Sequence, residues 1–116
     1  MDGEGRALLP IAVRDAASAV PAQWNAWIDT GFTGDLVVPR PLLIAIGADP
    51  TSTAIGVLAD GSQVTLDSYT FLIEWFGQVR PIEAIANDGA CPLLGVGLLN
   101  GHQLMIDYLA GTVSLL

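Results

Sequence analysis

Lysine is absent from this 116-residue chain, and all four of its basic residues are arginines. The missing lysine excludes Schiff-base chemistry and a Walker-type phosphate loop, because both need a lysine amine. Twelve acidic residues bring the net charge to -8 and leave no basic patch that could neutralise nucleic-acid phosphates. We therefore expect no nucleic acid among the partners of this protein.

Cysteine and histidine occur once each, as Cys91 and His102. One of each cannot make a Cys/His zinc site within a single chain, and we expect neither a metal nor another cofactor. A lone cysteine also cannot form an intramolecular disulfide, which fits a reducing compartment. Cys91 is predicted to be a small buried side chain rather than a nucleophile. His102 is predicted to be a helix-end or surface residue without a partner, rather than a general base.

Long apolar runs are also missing, although 52% of the residues are hydrophobic. No run reaches the roughly 18 residues needed to span a bilayer, and the polar segment Met1 to Arg6 does not begin a signal peptide. We therefore expect a cytoplasmic protein without a membrane partner. The length suits a single domain, 1–116, with residues 1–6 as a disordered tail. The high apolar content predicts additional buried surface, which in a dimer is the interface.

One stretch has the composition of a catalytic loop, and it runs from Ala26 to Gly34. The alternating residues before it predict a half-buried strand that ends at Thr30. Gly31 and Gly34 permit a tight turn that gathers amide groups near the carboxylate of Asp29. Taken alone, Asp-Thr-Gly is more typical of an ordinary turn aspartate, so the neighbouring residues decide the interpretation.

These neighbours make the stretch resemble the active-site loop of the aspartic proteases. A second apolar strand, Leu36 to Pro39, follows the loop, and Leu93-Leu94-Gly95 resembles the family's paired-hydrophobic and glycine motif. Pepsin-like enzymes carry two such loops on one chain, whereas this chain has one, so the resemblance is to the retropepsins and covers residues 7–116. It implies an all-β fold, a small closed β-barrel or sandwich with a flap hairpin and one or two short helices, which forms half of a twofold dimer.

The resemblance implies an aspartic endopeptidase that acts on a polypeptide substrate as a homodimer. The two Asp29 carboxyl groups would share one proton and activate a water molecule between them. The Thr30 hydroxyl would bridge the dimer axis, and the Gly31 amide would hold the carboxylate. Leu93-Leu94-Gly95 would support the loop. We expect higher activity at mildly acidic pH, since protonation reduces the repulsion between acidic subunits and keeps the catalytic pair singly protonated.

A hairpin is predicted from Thr53 to Leu58 and from Gln63 onward, with a glycine at its tip. Its place in the chain corresponds to the retropepsin flap, although retroviral flaps are richer in glycine. The resemblance implies that the following flap and loop residues contact substrate: Phe32, Gly34, Leu58, Ala59, Asp60, Gly61 and Ser62. A plain surface hairpin is the alternative interpretation.

Turn residues and periodicity predict the remaining elements. Pro41 and Gly47 enclose one or two helical turns over residues 42–46, with a buried strand as an almost equal alternative. Residues 63–75 are predicted to form a long strand with aromatic residues on its core face. Pro81 is predicted to cause a bulge in the next strand.

The end of the chain is predicted to contain a short helix from Val96 to Asn100, closed by Gly101, and then a hairpin over residues 103–116. In retropepsins the chain termini interleave between subunits, and the apolar residues at this end suit that role. Retroviral enzymes pair an aspartate and an arginine at the positions of Thr33 and Val96. Both are missing together, so no unpaired charge remains.

Two other functions fit the same residues. The first is a catalytically silent retropepsin-fold module that dimerises or binds peptides. The second is a small β-barrel that binds an apolar ligand. Asp29→Asn separates them from the enzyme, because it should abolish cleavage but leave binding largely intact.

Overall fold

The computed structural model describes residues 1–16 and 21–116. In these ranges the chain forms nine strands and two short helices, which confirms the predicted all-β fold. The elements are β1 Leu8–Asp15, β2 Pro21–Ile28, β3 Leu36–Pro39, α1 Arg40–Ala45, β4 Ser52–Val57, β5 Gln63–Trp75, β6 Gln78–Asn87, β7 Leu93–Leu94, α2 Val96–Leu99, β8 Leu104–Asp107 and β9 Thr112–Leu115. A small-residue connection predicted between Asp15 and Pro21 lies largely outside the described residues.

Seven of these strands form one sheet in the order β1-β2-β7-β3-β6-β5-β4. A further antiparallel pairing between β1 and β5 joins the two sides, from Val13 opposite Ile73 to Asp15 opposite Phe71. This pairing closes six strands into a ring and leaves β4 outside it. The pairs β2–β7 and β3–β6 are parallel. Strands β8 and β9 form a separate antiparallel hairpin, as predicted for the chain end.

The core is a single cluster of apolar side chains from the ring strands and both helices. On β5, one face is buried along most of the strand, with Tyr69, Phe71, Ile73 and Trp75, which confirms the predicted aromatic face. Fully burying side chains of this size is worth about 1.5–3 kcal/mol each. The largest side chains with almost no exposure are Phe71, Leu36, Leu43, Ile73, Leu94, Leu98 and Val38.

Both predicted helices are present, with slightly different bounds: α1 begins at Arg40 and ends at Ala45 rather than covering 42–46, and α2 ends at Leu99 rather than Asn100. Pro41 lies in the first turn of α1, and Gly47, at φ +67°, follows its end, so the helical alternative for residues 42–46 is confirmed. Helix α2 is followed by Gly101 at φ +84°. Because L-residues with a side chain rarely adopt positive φ, glycine suits both positions. Neither helix in the described part of the chain has the length or hydrophobicity to cross a membrane.

The bulge predicted at Pro81 is wrong. The β5–β6 register stays constant along the whole pair, with Pro81 opposite Leu72. Strand β3 pairs with residues 84–87 of β6, so Pro81 lies at an edge on that side. An edge position needs no ladder hydrogen bond from the proline nitrogen, which is why the strand continues without a bulge.

Residues 1–6, expected to be a disordered tail, form a hydrogen-bonded turn. The amides of Glu4 and Arg6 donate to Oδ1 of Asp2 at 3.0 and 2.9 Å. These amides and the Arg6 guanidinium lower the pKa of the Asp2 carboxyl. The Arg6 guanidinium also reaches Sγ of Cys91 at 4.0 Å. Cys91 is half-buried rather than enclosed in the core, because it lies at the edge of this turn.

His102 has partners, contrary to the expectation. Its Nε2 accepts a hydrogen bond from the Trp75 indole at 3.2 Å, and its Nδ1 lies 3.1 Å from the Leu116 carbonyl oxygen. Because an indole N–H can only donate, Nε2 must be the acceptor and Nδ1 carries the proton. The ring also stacks on Phe76 with centroids 4.2 Å apart. His102 therefore ties the end of β5 to the end of the chain and has a structural role.

Candidate active site

Asp29 lies where β2 ends and the chain crosses the end of β7. Strand β7 is placed between β2 and β3, with Ile28 and Leu36 both opposite Leu94. The amide of Asp29 donates to the Leu94 carbonyl at 2.9 Å. This hydrogen bond fixes the start of the loop on a strand whose side chain at Leu94 is fully buried.

The Asp29 carboxylate is half-buried and accepts a hydrogen bond from the loop itself. The Gly31 amide donates to Oδ1 at 2.9 Å, and the Phe32 amide donates to the Asp29 carbonyl oxygen at 3.2 Å. A Cβ on Gly31 would lie 3.2 Å from Oδ1, closer than an ordinary contact. Glycine at this position therefore lets the backbone approach the carboxylate and present its amide.

Three consecutive amides at the start of α2 hold the rest of the loop. Gly95 donates to the Asp35 carbonyl at 2.9 Å, Val96 to Phe32 at 2.8 Å and Gly97 to Gly34 at 2.9 Å. A Cβ on Gly95 would lie only 2.2 Å from the Gly34 carbonyl oxygen, so a side chain there would break the contact. The loop is thus braced by backbone hydrogen bonds in a chain that lacks the charged pair of the retroviral enzymes.

A cavity of about 510 Å³ opens beside Asp29, between the loop, the β4–β5 hairpin and the ends of β6 and β7. Apart from Asp29 its lining carries no charge. It is formed by Asp29, Gly31, Phe32, Thr33, Val37, Ile55, Gly56, Val57, Leu66, Ile85, Ala86, Asn87 and Leu93. A second cavity of about 330 Å³ borders Asp29 and is formed by Trp27, Ile28, Asp29, Thr30 and Leu93. Concave surfaces that are mostly apolar and carry a few polar groups are typical of ligand sites.

The β4–β5 hairpin presents exposed apolar side chains to the larger cavity. Ile55 and Val57 are 70% and 69% exposed, although both belong to a regular antiparallel pair. At the tip, the Ser62 hydroxyl and amide both donate to Oδ1 of Asp60, at 2.6 and 2.9 Å. These hydrogen bonds lower the pKa of the Asp60 carboxyl below its ordinary value. Gly61 has φ +85°, which allows the tight turn.

The predicted site residues are only partly brought together. Those around the larger cavity are Asp29, Gly31 and Phe32. Thr30 borders the second cavity, and Gly34 packs against Gly95 instead. Within the described chain, the tip residues Leu58 to Ser62 line neither cavity, whereas Ile55 to Val57 of β4 line the larger one. Sequence reasoning missed these β4 residues, and the available signal was an apolar residue at every second position of an exposed hairpin.

Solved structures share this architecture. No protein-family model matches the chain, and no curated protein matches it. The EIAV protease complexed with the inhibitor HBY-793 is 18% identical over 85% of this chain and 89% of that chain, with a TM-score of 0.58. A retropepsin-like aspartic protease from Rickettsia conorii is 17% identical over 86% of this chain and 76% of that chain, also with a TM-score of 0.58.

The retroviral protease-like domain of Ddi1 from Leishmania major is 16% identical over 93% of this chain and 87% of that chain, with a TM-score of 0.51. Sequence identities this low show a shared fold, while activity has to be argued from the site. The loop, the β4–β5 hairpin and the short helix after β7 occur here in the order that the sequence predicted. The chain therefore has the fold of the retropepsin-like aspartic proteases.

Proposed function

We propose that this protein is an aspartic endopeptidase that works as a homodimer. The observation that carries the proposal is the half-exposed Asp29 carboxylate beside a large apolar cavity, on the retropepsin fold. One chain supplies one Asp-Thr-Gly loop, so the second carboxylate comes from a second copy. Two copies related by a twofold axis bring identical loops together on that axis.

The proposed chemistry needs two carboxyl groups that share a proton. Two like charges about 3 Å apart do not both ionise easily, so the pair holds one proton. The ionised Asp29 accepts a proton from a water molecule as this water attacks the peptide carbonyl carbon. The protonated Asp29 donates to the carbonyl oxygen. In this scheme the Gly31 amide orients the carboxylate, and the exposed Thr30 hydroxyl lies at the axis.

The proposed substrate is an extended polypeptide between the loop and the β4–β5 hairpin. The cavity offers apolar surface from Ile55 and Val57 on one side and from Phe32 and Leu93 on the other. An extended chain can place alternate side chains into such pockets while its backbone bonds to the hairpin. The tip residues Leu58 to Ser62 contact the substrate in this proposal only after the hairpin closes as a flap.

The terminal hairpin supports the dimer part of the proposal. It lies outside the sheet ring and carries exposed apolar side chains, among them Met105, Tyr108, Leu109 and Leu116. Exposed apolar residues clustered on one element favour an interface with another chain. We expect this element to bury against the second copy.

The test is cleavage of an unfolded protein between about pH 4 and pH 7, at several enzyme concentrations. Asp29→Asn keeps the shape of the side chain and removes the charge. Asp49→Asn makes the same change on an exposed loop and is the matched control. We expect cleavage by the parent and by Asp49→Asn, none by Asp29→Asn, and a specific activity that rises with enzyme concentration and toward acidic pH.

Parent activity in Asp29→Asn would contradict the proposed mechanism, and a rate rising steadily from about pH 5 to pH 8 would contradict the shared proton. A parent that is dimeric by sedimentation and cleaves nothing would favour the silent peptide-binding module instead.

A further inference from the structure

Asp35 is a second carboxylate on the loop, at the end opposite Asp29. Its Oδ2 accepts a hydrogen bond from the Glu83 amide in β6 at 3.1 Å. Its Oδ1 lies against Gly97 of α2, where a Cβ would come within 2.2 Å of this oxygen. One side chain therefore contacts both a strand and a helix that flank the loop.

The position of Asp35 fixes where the loop ends. Strands β3 and β6 begin to pair at Leu36 opposite Ala84. The Asp35 carboxylate accepts a hydrogen bond from the amide of Glu83, the residue just before Ala84. The carbonyl oxygen of Asp35 accepts from Gly95, so backbone and side chain hold this residue from two directions. A charged acceptor makes hydrogen bonds roughly twice as strong as a neutral one.

A short path of contacts connects this end of the loop to Asp29. The Val96 amide donates a hydrogen bond to the Phe32 carbonyl oxygen, and the Phe32 amide donates to the carbonyl oxygen of Asp29 at 3.2 Å. Between them, Gly31 donates to the Asp29 carboxylate. Because these contacts run from one end of the loop to the other, we expect a shift at Asp35 to turn the Gly31 amide. A displacement of about 1 Å at a catalytic group can cost roughly 100-fold in rate.

We propose that Asp35 is a positioning residue for the Asp29 carboxylate, which it acts on by anchoring the loop between β6 and α2. This inference rests on the proposed peptidase function. It gives Asp35 the bracing role for which the uncharged Thr33 and Val96 are unsuited. Gly97 is part of the same arrangement, because it provides the space that the carboxylate occupies.

The test compares Asp35→Ala with Asp35→Asn in the whole 116-residue chain, using steady-state kinetics and amide hydrogen exchange. Alanine removes both contacts, whereas asparagine keeps an oxygen that can accept from Glu83. We expect Asp35→Ala to lower kcat by about 10-fold to 100-fold with KM changed less than about threefold. Asp35→Asn should recover most of kcat. Asp49→Ala, in an exposed loop, should match the parent.

A purely structural role would lower the folded fraction and leave kcat per folded molecule unchanged, so kcat is normalised to folded protein. An Asp35→Ala kcat within about twofold of the parent, or an equal loss in Asp35→Asn, would overturn the proposal. If Asp35→Ala does not fold, Asp35→Ser keeps only a shorter acceptor, so its kcat should fall below that of the folded Asp35→Asn, and a kcat equal to that of the parent would overturn the proposal.

Hydrogen exchange separates this proposal from the peptidase proposal. Asp35→Ala should speed exchange at the amides of Glu83 and Gly97 and leave the β1–β2 pair unchanged. Unchanged exchange at Glu83 would overturn the anchoring role even in an active enzyme. If the parent cleaves nothing, the positioning role fails with the peptidase function, and the exchange result still reports whether Asp35 anchors the loop.

Discussion

The Asp29 loop and the β4–β5 hairpin border the same cavity, but they are held in opposite ways. Five backbone hydrogen bonds fix residues 29–35, including the three from consecutive amides of residues 95–97. In the hairpin, by contrast, the side chains of Ile55 and Val57 line the cavity and are about 70% exposed to solvent. The tip, residues 58–62, is ordered by hydrogen bonds within the tip itself. The difference indicates a site in which the side that carries Asp29 is fixed and the opposite side, the hairpin, is loosely held.

This division has a physical reason in the proposed reaction. A carboxylate that transfers protons must keep its direction to within a fraction of an ångström, so dense backbone hydrogen bonding is useful around Asp29. A bulky extended substrate must enter and leave, which requires an element with few buried apolar contacts and a low cost of local opening. Substitutions on the two sides should therefore have different effects, and four experiments test this.

Gly95→Ala should have the largest effect. The added methyl group would lie 2.2 Å from the Gly34 carbonyl oxygen and 2.8 Å from that of Phe32, so backbone atoms must move. Overpacking of this kind costs about 1–3 kcal/mol or more, and we expect about 3 kcal/mol of unfolding free energy and the loss of cleavage. Urea unfolding measures the first. Gly3→Ala, where a Cβ meets nothing, is the matched control, and equal stability of the two variants would contradict the fixed loop.

Leu94→Ala should have the next largest effect. Leu94 is fully buried in β7, beside the loop that carries Asp29. Removing a buried leucine side chain typically costs about 2–5 kcal/mol through lost burial and a cavity. We expect a loss at the lower end of this range, about 2 kcal/mol, by urea unfolding, together with reduced kcat. A loss below about 1 kcal/mol would mean that the loop side is less tightly packed than its burial implies.

Ile55→Ala should leave stability almost unchanged and affect substrate binding. Its side chain is 70% exposed in the single chain, so the free energy of unfolding should change by no more than about 0.5 kcal/mol. Because it borders the cavity, we expect KM for an unfolded substrate to rise by about 10-fold. Val79→Ala truncates another exposed apolar residue on β6, away from this cavity. An equal KM in both variants would show that the Ile55 side chain does not contact the substrate.

Acidification should have the smallest effect and act on the hairpin tip. The pKa of Asp60 is lowered by hydrogen bonds from the Ser62 hydroxyl and amide. The ionised carboxylate therefore contributes tip stability above the pKa of the unfolded chain, and this contribution is lost as pH falls through the lower pKa of the folded tip.

The Ser62 amide resonance, followed by NMR against pH, should titrate with a midpoint below the ordinary value for an aspartate. In Asp60→Asn this transition should disappear. A midpoint at or above the ordinary value would mean that the tip is less ordered than its hydrogen bonds indicate, and the loop amides of residues 95–97 serve as the internal reference.

Local patterns in the sequence were sufficient to predict the strands, the helix and the loop around the site. Alternation predicted β2 and the aromatic face of β5, and Pro41 with Gly47 predicted α1, because each signal depends on residues a few positions apart. The glycines at 31 and 34 predicted a tight loop after Asp29. The single Asp-Thr-Gly in the chain predicted the retropepsin fold over the two-lobed pepsin fold.

Contacts between distant parts of the chain could not be predicted from the sequence. Nothing in the spacing of residues shows that the amides of 95–97 meet the carbonyl groups of 32–35, or that Asp35 reaches the Glu83 amide. The partners of His102 were missed for the same reason, since Trp75 and Leu116 approach it only in the folded chain. At Pro81 the proline wrongly predicted a bulge. The position of a residue in the sheet decides whether a missing amide N–H interrupts the strand pairing.

The pairing of residue 29 with residue 94 also affects when the site can form during synthesis. A ribosome adds residues in order from the N-terminus, so the loop emerges long before the amides that hold it. Bringing such distant segments together requires closing a long stretch of chain. We expect a nascent chain that ends before α2 to lack an ordered catalytic loop, so that any peptidase activity would begin only when synthesis of the domain is nearly complete.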